Sequence, residues 1–195
     1  MERAPQMLYP RAWRITGRTN PDGLPKNWRD QLAERLGQRP RRIGLLAELA
    51  LYGALNCLAA AGESGLPHKD LLRLSSLRGS RSAIFRTLDQ GRDDLPLPFS
   101  FLQSQTSQIL AALAVALNWQ GDASIISARD PLDVVKLACH QAGSNGILLG
   151  WVEEDDPATS LWLRLVPCAL PPAGFSTAEN FAELVRAQTY MLAGY

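Results

Sequence analysis

The stretch GDASIISARDPLDVVKLACHQAGSNGILLGWVEE, residues 121–154, carries the strongest indication of how this chain folds. A β-branched run at residues 124–127 has the character of a short strand, and residues 132–142 carry apolar side chains at helical spacing. A second apolar run follows at residues 147–152, after a Gly-Ser-Asn helix stop. Strand, helix and strand in about 30 residues are typical of a βαβ unit, so this stretch predicts an α/β protein.

The turn between the first strand and the helix holds the most informative residues. Pro131 suits the first helical turn, where its missing N–H would be unpaired anyway, and Asp130 suits the N-cap. α/β enzymes place a nucleophile at such a turn, but this one offers Arg129 and Asp130 and no Ser, Cys or Thr. We predict an Arg129–Asp130 ion pair; the alternative is that Arg129 binds a carboxylate or phosphate at the helix N-terminus.

Outward from this unit, the patterns predict the remaining elements. Three more strands are predicted at residues 13–16, 82–85 and 161–166, and helices at residues 28–36, 45–61, 104–117 and 176–192, the last capped by Ser176 or Thr177. A short helix or loop is predicted at residues 68–72 and a loop at residues 89–98. The last two strands are joined by a short acidic turn, so they should pair antiparallel. The alternation of strands and helices otherwise implies a mostly parallel sheet.

Length, charge and cysteine count exclude several classes of protein. The 195 residues can bury one sizeable core, and a formal net charge of +1 gives no bulk attraction to nucleic acid or to a membrane. The three cysteines, Cys57, Cys139 and Cys168, do not suggest a disulfide framework, which favours a reducing, cytoplasmic setting. The N-terminus does not have the pattern of a signal peptide. The longest apolar stretch, residues 45–61, is too short and too mixed to span a membrane.

Several segments spread along the chain carry a family resemblance. They are Trp13-Arg14-Ile15-Thr16-Gly17, Arg41-Arg42-Ile43-Gly44 with residues 45–62, Ser82-Ala83-Ile84-Phe85, Leu97-Pro98-Phe99-Ser100 with residues 108–117, Trp119-Gln120-Gly121, and residues 146–154. From Trp13 to Val166 the chain resembles the N-terminal half of the β-ketoacyl synthases of the thiolase-like superfamily. It resembles in particular the small ketosynthase-like proteins of bacterial polyene and polyketide pigment pathways.

The resemblance implies a thiolase-like half, with a five-stranded mixed sheet whose last strand is antiparallel and with helices on both faces. It implies a domain at residues 13–166, after a flexible start at 1–12 and before a proline-rich connector and closing helix at 167–195. The family's chemistry uses a cysteine at the strand-to-helix turn and two polar residues, usually histidines, from a second half. The cysteine position falls on Asp130, or on Arg129 with a one-residue gap, and the chain ends before a second half would begin. The resemblance thus implies a protein that lacks the family's catalytic set and carries no cofactor.

Other candidate sites have a structural explanation. Cys139 and His140 are adjacent on a helix and point about 100° apart, so Cys139 is predicted in the core and His140 at the helix edge. His68 lies in a different segment, and no three or four residues converge in sequence as metal ligands do. The four acids at residues 153–156 are predicted to be solvated charge rather than a cation site.

Three functions from different classes follow. The first is a non-catalytic ketosynthase-like accessory or partner protein in fatty-acyl, polyene or polyketide chain assembly. The second is a small enzyme that acts on an acyl thioester with Asp130 as base or nucleophile. The third is a stand-alone binding or scaffold module without a link to acyl chemistry. The missing nucleophile favours the first and weighs against an enzyme.

The packing pattern predicts association. Leu113 and Val115 lie on different sides of one helix and Val135 and Leu137 on different sides of another, so both helices are predicted to be largely buried. In the family, the helix at residues 132–142 lies between two halves. With one half present, its apolar surface needs a cover, either the closing helix or another chain. We predict a homodimer or a heterodimer with a complete ketosynthase, and an acyl carrier protein as a possible further partner.

Overall fold

A computed structural model describes residues 12–92, 98–168, 181–187 and 189–191. The strands are β1 (Ala12–Arg18), β2 (Leu71–Ser75), β3 (Ala123–Ile126), β4 (Ile147–Glu153), β5 (Thr159–Cys168) and β6 (Thr189–Met191). The helices are α1 (Trp28–Leu36), α2 (Leu45–Ala60), α3 (Arg81–Arg92), α4 (Pro98–Ser104), α5 (Thr106–Ala116), α6 (Pro131–Ala142) and α7 (Phe181–Arg186). The predicted flexible start, except Ala12, and the predicted caps Ser176 and Thr177 lie outside the described residues.

One mixed sheet runs through the molecule in the order β3-β2-β4-β5-β1-β6. β2 is parallel to β3 and β4, whereas β5 is antiparallel to both β4 and β1. The predicted antiparallel pairing of the last two strands is confirmed, with Trp151 opposite Leu161. The sheet thus has the predicted mixed arrangement of five strands, and the short β6 extends it beside β1.

Helices cover both faces of this sheet, as predicted. β4 shows why: Leu148 and Val152 belong to the core beneath α2 and α5, while Ile147 and Leu149 belong to the core beneath α6 and α7. A strand that is buried on both faces needs apolar residues at nearly every position. That requirement explains the unbroken apolar run in the sequence.

Trp162 of β5 packs between the sheet and α2. Its indole fits between two glycines, because a Cβ at Gly53 would lie 2.1 Å from Trp162 Cδ1 and a Cβ at Gly150 would lie 2.3 Å from Trp162 Cε2. The indole Nε1 donates to Ser160 Oγ at 3.1 Å, and that hydroxyl donates to the Leu49 carbonyl at 2.7 Å. The close helix–sheet approach thus depends on both glycines.

The predicted second strand is wrong. Residues 82–85 lie in helix α3, and the strand at this point of the topology is Leu71–Ser75, whose first two residues belong to the segment predicted as a short helix or loop. β2 is buried at all five positions even though Arg73 lies in its middle. The Arg73 guanidinium is satisfied by Asp122 and Gln141, with Nη2 2.7 Å from Asp122 Oδ2. The strand was not predicted because a charged residue lies in its middle and the partners of that charge are distant in sequence. The prediction of a loop at residues 89–98 is also wrong in its first part, because α3 extends to Arg92.

The closing helix is shorter than predicted. In the described part of residues 176–192, α7 covers Phe181–Arg186 and is followed by β6 at Thr189–Met191, which pairs with β1. Phe181, Leu184 and Val185 are buried in the core beneath α6. The chain turns from helix to strand here because the exposed backbone of β1 offers hydrogen bonds to a further strand.

The two helices predicted to be largely buried differ from each other. α5 buries Ile109 and Leu113 but leaves Val115 81% exposed, so it lies at the surface, and the prediction is wrong for this helix. α6 buries its apolar residues except Leu137, which is 42% exposed. The sheet and α7 therefore already cover most of the apolar surface that had suggested a partner chain for α6.

Candidate functional site

The loops that follow β2, β3 and β4 meet at one edge of the sheet, because the three strands are parallel neighbours. This carboxyl edge is where open α/β sheets place their sites. Ser127 Oγ, after β3, donates to the Leu77 carbonyl, after β2, at 3.1 Å. His68 precedes β2 and so lies at the opposite edge, roughly 16 Å away for five residues of strand. The structure does not bring His68 to the β3–α6 turn.

Asp130 is the N-cap of α6. Its Oδ1 accepts a hydrogen bond from the Leu132 N–H at 2.9 Å, and Pro131 occupies the first helical position. The predicted Arg129–Asp130 ion pair is absent from the ion pairs of the described residues, because the carboxylate faces the helix N-terminus instead. The Asp130 carboxylate lies at the N-terminus of α6, where an external anion would bind. This position argues against the alternative that Arg129 binds a carboxylate or phosphate there.

Asp130 acting as a cap gives a first prediction. Asp130→Ala should lower the free energy of unfolding by about 1 kcal/mol, whereas Asp130→Asn should change it little, because asparagine caps a helix equally well. Urea unfolding of the two variants measures the difference. Equal losses for both variants would show that the negative charge, and not the hydrogen bond, is what matters.

Glu153, at the end of β4, holds the loop after β2 in place at the carboxyl edge of the sheet. It is 8% exposed. Its carboxylate accepts hydrogen bonds from the Leu77 N–H, from the Arg78 N–H at 3.4 Å and from Ser76 Oγ at 3.3 Å. This carboxylate therefore fixes the loop after β2, and it is not solvated charge as predicted.

Glu154 and Asp155 complete the correction. Glu154 accepts from the Leu46 N–H at 2.9 Å and from the Ser82 N–H at 2.8 Å, so one carboxylate serves the first turns of both α2 and α3. Asp155 pairs with Arg78 at 2.8 Å. The acidic turn is thus a set of structural anchors, and no group of three metal-ligating side chains occurs within the described residues.

Comparison with solved structures places this geometry among known folds. The chain is similar to the ishigamide ketosynthase/chain length factor, with a TM-score of 0.63 and 13% identity over 82% of this chain and 59% of that chain. It is similar to a ketosynthase (ApeO) in complex with its chain length factor (ApeC) from Xenorhabdus doucetiae, with a TM-score of 0.55 and 17% identity over 79% of this chain and 76% of that one. The chain has the ketosynthase fold.

A third similar structure is the type II PKS acyl-carrier protein in complex with its ketosynthase bound to the hexaketide (AntDE:AntF), with a TM-score of 0.57 and 11% identity over 81% of this chain and 64% of that chain. No protein-family model and no curated protein sequence matches the chain. The chain spans 59% of the length of the first of these structures. A ketosynthase fold at this level of identity establishes architecture, and function has to be argued from the site.

Within this fold, two of the three thiols, those of Cys57 and Cys139, are in the core. Cys139 of α6 is fully buried and His140 is exposed, as predicted for adjacent helical residues. Burial raises the pKa of the Cys139 thiol to about 12 and raises that of Cys57 further. Thiolates are the reactive species, so neither cysteine is set up as a nucleophile.

This burial gives a second prediction. A disulfide exchange reagent at pH 8 should label Cys168, which is partly exposed, and should leave Cys57 and Cys139 unlabelled until the protein is unfolded. The raised pKa values keep both buried thiols protonated well above this pH. Rapid stoichiometric acylation of Cys139 by an acyl thioester would contradict the assignment.

Sequence reasoning missed two buried hydroxyls beside this edge. Ser75 ends β2 between Ile126 and Trp151 of the neighbouring strands, and Ser80 precedes α3. Both hydroxyl oxygens are buried without a hydrogen-bond partner. A serine nucleophile needs an adjacent base, and neither hydroxyl is bonded to one. Their only sequence signal is the serine-rich run between β2 and α3.

A groove away from this edge is lined by polar side chains that form hydrogen bonds within the protein. The groove has a volume of about 490 Å³ and is lined in part by Tyr52, Asn56 and Ser160. Burial raises the pKa of Tyr52, whose hydroxyl donates to Gln31 Oε1 at 2.8 Å. Asn56 Nδ2 donates to the Tyr52 carbonyl at 2.8 Å. These groups therefore already have hydrogen-bond partners within the fold.

Proposed function

We propose that this chain is a non-catalytic ketosynthase-like partner protein in fatty-acyl, polyene or polyketide chain assembly. The observation that carries the proposal is the β3–α6 turn, where the ketosynthase fold holds Asp130 as a helix cap. A capping carboxylate that accepts from the Leu132 N–H is engaged in structure. The two thiols in the helical core are buried and protonated, which supports the same conclusion.

The solved structures with this fold support a role in an assembly. They include a ketosynthase in complex with its chain length factor and an acyl-carrier protein in complex with its ketosynthase. By this analogy the partner is a complete ketosynthase, an acyl carrier protein takes part in the same process, and the setting is the cytoplasm. In the described part of the chain, no helix has the length and apolar character to cross a membrane.

The competing function is an enzyme that acts on an acyl thioester through Asp130. One observation favours it: Asp130 lies on the surface at the turn and so is accessible to a substrate. A stand-alone scaffold without acyl chemistry is the remaining alternative. The non-catalytic partner and the enzyme can be distinguished by removing the Asp130 charge, which should abolish turnover of an acyl thioester only if the chain is the enzyme.

The test is incubation of the purified protein with an acyl thioester, followed by intact-mass spectrometry and a thiol-release assay. We expect no acyl adduct and no turnover above background for the wild type, for Asp130→Asn and for the control Asp133→Asn. Asp133 is a matched control because it is an exposed carboxylate in the first turn of the same helix. Turnover that is lost in Asp130→Asn and kept in Asp133→Asn would establish the enzyme instead.

A further inference from the structure

Helices α3 and α4 carry a group of large apolar side chains on the surface. Each is between 41% and 56% exposed, and the group consists of Ile84, Phe85, Leu88, Phe99, Phe101 and Leu102, here called the α3–α4 patch. The two helices pack against each other. Within them only Ala83 and Ser100 are buried. The pair therefore offers most of its apolar surface to the outside.

The size of the patch exceeds that of scattered surface residues. With about 150–250 Å² for a fully exposed large side chain, six half-exposed ones present on the order of 500 Å². A standard protein interface buries about 800 Å² on each partner, including its polar rim. Together the two helices thus expose an apolar area comparable to that of the centre of such an interface.

The rim of the patch is basic. The Arg42 guanidinium lies 4.5 Å from the centre of the Phe99 ring, and that of Arg81 lies 5.2 Å from the centre of the Phe85 ring. Arg86 of α3 is exposed, and its Nη1 lies 3.4 Å from Gln103 Oε1. Arg81 also lies 4.0 Å from Asp155, whereas Arg42 and Arg86 form no ion pair with a carboxylate among the described residues.

From this arrangement we infer that the α3–α4 patch is the docking surface for a second protein of a different kind, one that is apolar at the centre of its contact region and acidic at its rim. Charge decides between the possible occupants. A second copy of this chain that docked patch to patch would bring one guanidinium rim against another, which opposes association. Carboxylates on a different protein would pair with the same arginines and fix its orientation.

The inference rests on the proposed function, which supplies the partner, a complete ketosynthase. It also moves the contact away from α6, where the sequence had placed it. On α6 the exposed apolar residue is Leu137, and its helical neighbours Lys136 and His140 are polar. A single exposed leucine does not make an interface centre.

The test compares variants for binding to a co-expressed and purified complete ketosynthase. The double variant Phe85→Ser/Phe101→Ser should weaken binding by at least about 10-fold, because central aromatic residues dominate interface energies. Arg86→Glu should also weaken binding, with a loss that shrinks at high salt. The matched controls are Leu137→Ser and Val115→Ser, which remove exposed apolar side chains elsewhere and should change binding by less than about 2-fold.

The outcomes separate the two proposals. If the ketosynthase binds the wild type and the double variant equally well, the docking surface is wrong and the proposed function stands. If it binds no variant and not the wild type, the proposed function fails and the docking surface fails with it. Because all substituted residues are exposed, the melting temperatures should match, which excludes misfolding as the cause.

A second measurement tests the other occupants. Phe101→Cys in a Cys168→Ser background should react quickly with a maleimide in the isolated protein and should be protected by the ketosynthase. Slow reaction in a monomer would show that another part of this chain covers the patch. Protection in a self-associated form that the double variant abolishes would identify a second copy as the occupant. Either result would overturn the inference.

Discussion

Val135→Asp will unfold the protein or lower its free energy of unfolding by about 3–5 kcal/mol, as expected for a buried charge without a partner. The Val135 side chain is fully buried between α6 and the sheet, in a core that also contains Leu149, Leu163 and Leu184. Urea unfolding followed by circular dichroism gives the loss directly.

Leu137→Asp is the matched control for this prediction. Leu137 lies two residues further along α6 and is 42% exposed, so a carboxylate there keeps its water and should cost no more than about 0.5 kcal/mol. Similar losses for the two variants would contradict the orientation of α6 on the sheet.

Arg164→Met should lower the free energy of unfolding by about 3–5 kcal/mol, because it leaves two carboxylates without their buried partner. The Arg164 side chain is 3% exposed, and its Nη2 lies 2.6 Å from Asp70 Oδ2. Its Nε lies 2.9 Å from Glu63 Oε2. Asp70 also accepts from the Gly146 N–H at 2.8 Å, so the network ties α2, β2, β4 and β5 together.

The comparison that isolates burial is Arg39→Met. Arg39 pairs with Asp30 at 2.7 Å, almost the same distance, but the side chains are 69% and 71% exposed. Exposed pairs contribute about 0–1 kcal/mol, so this variant should be close to the wild type. The triple variant Arg164→Met/Asp70→Asn/Glu63→Gln should recover part of the loss, because it removes the unpaired charges. Equal effects of Arg164→Met and Arg39→Met would contradict the account of the network.

The strand–helix–strand unit was predictable because its signals are local. Asp130 and Pro131 mark the helix start, and residues 147–152 form an apolar run that fits a strand buried on both faces. The acidic turn is too short for a parallel crossover, so the antiparallel direction of β5 could be predicted from its length. No long-range information was needed for any of these features.

β2 and α3 were predicted incorrectly because their decisive contacts are distant in sequence. Arg73 is tolerated inside a strand because Asp122, 49 residues later, neutralises it. Ser82-Ala83-Ile84-Phe85 forms a helix because Glu154, 72 residues later, accepts from the Ser82 N–H. A short apolar run is ambiguous between strand and helix until such contacts are known.

Some features of the candidate site were likewise predictable from adjacent residues, and others depend on contacts that are distant in sequence. The absence of a nucleophile at the β3–α6 turn and the capping role of Asp130 follow from adjacent residues. The anchoring role of Glu153 depends on the loop after β2, which no sequence period reveals. The α3–α4 patch was missed because residues 82–85 had been predicted as a strand, which hid the helix face that Phe85 and Leu88 share.

As a non-catalytic partner, the chain should assist a ketosynthase without chemistry of its own. The most direct measurement is acyl-chain condensation by a purified ketosynthase and acyl carrier protein, with the chain absent, present, or present as Asp130→Asn. We expect that the chain changes the amount or length of product and that Asp130→Asn has the same effect as the wild type. A chain that has no effect on the product, or an effect that disappears in Asp130→Asn while binding persists, would contradict this expectation.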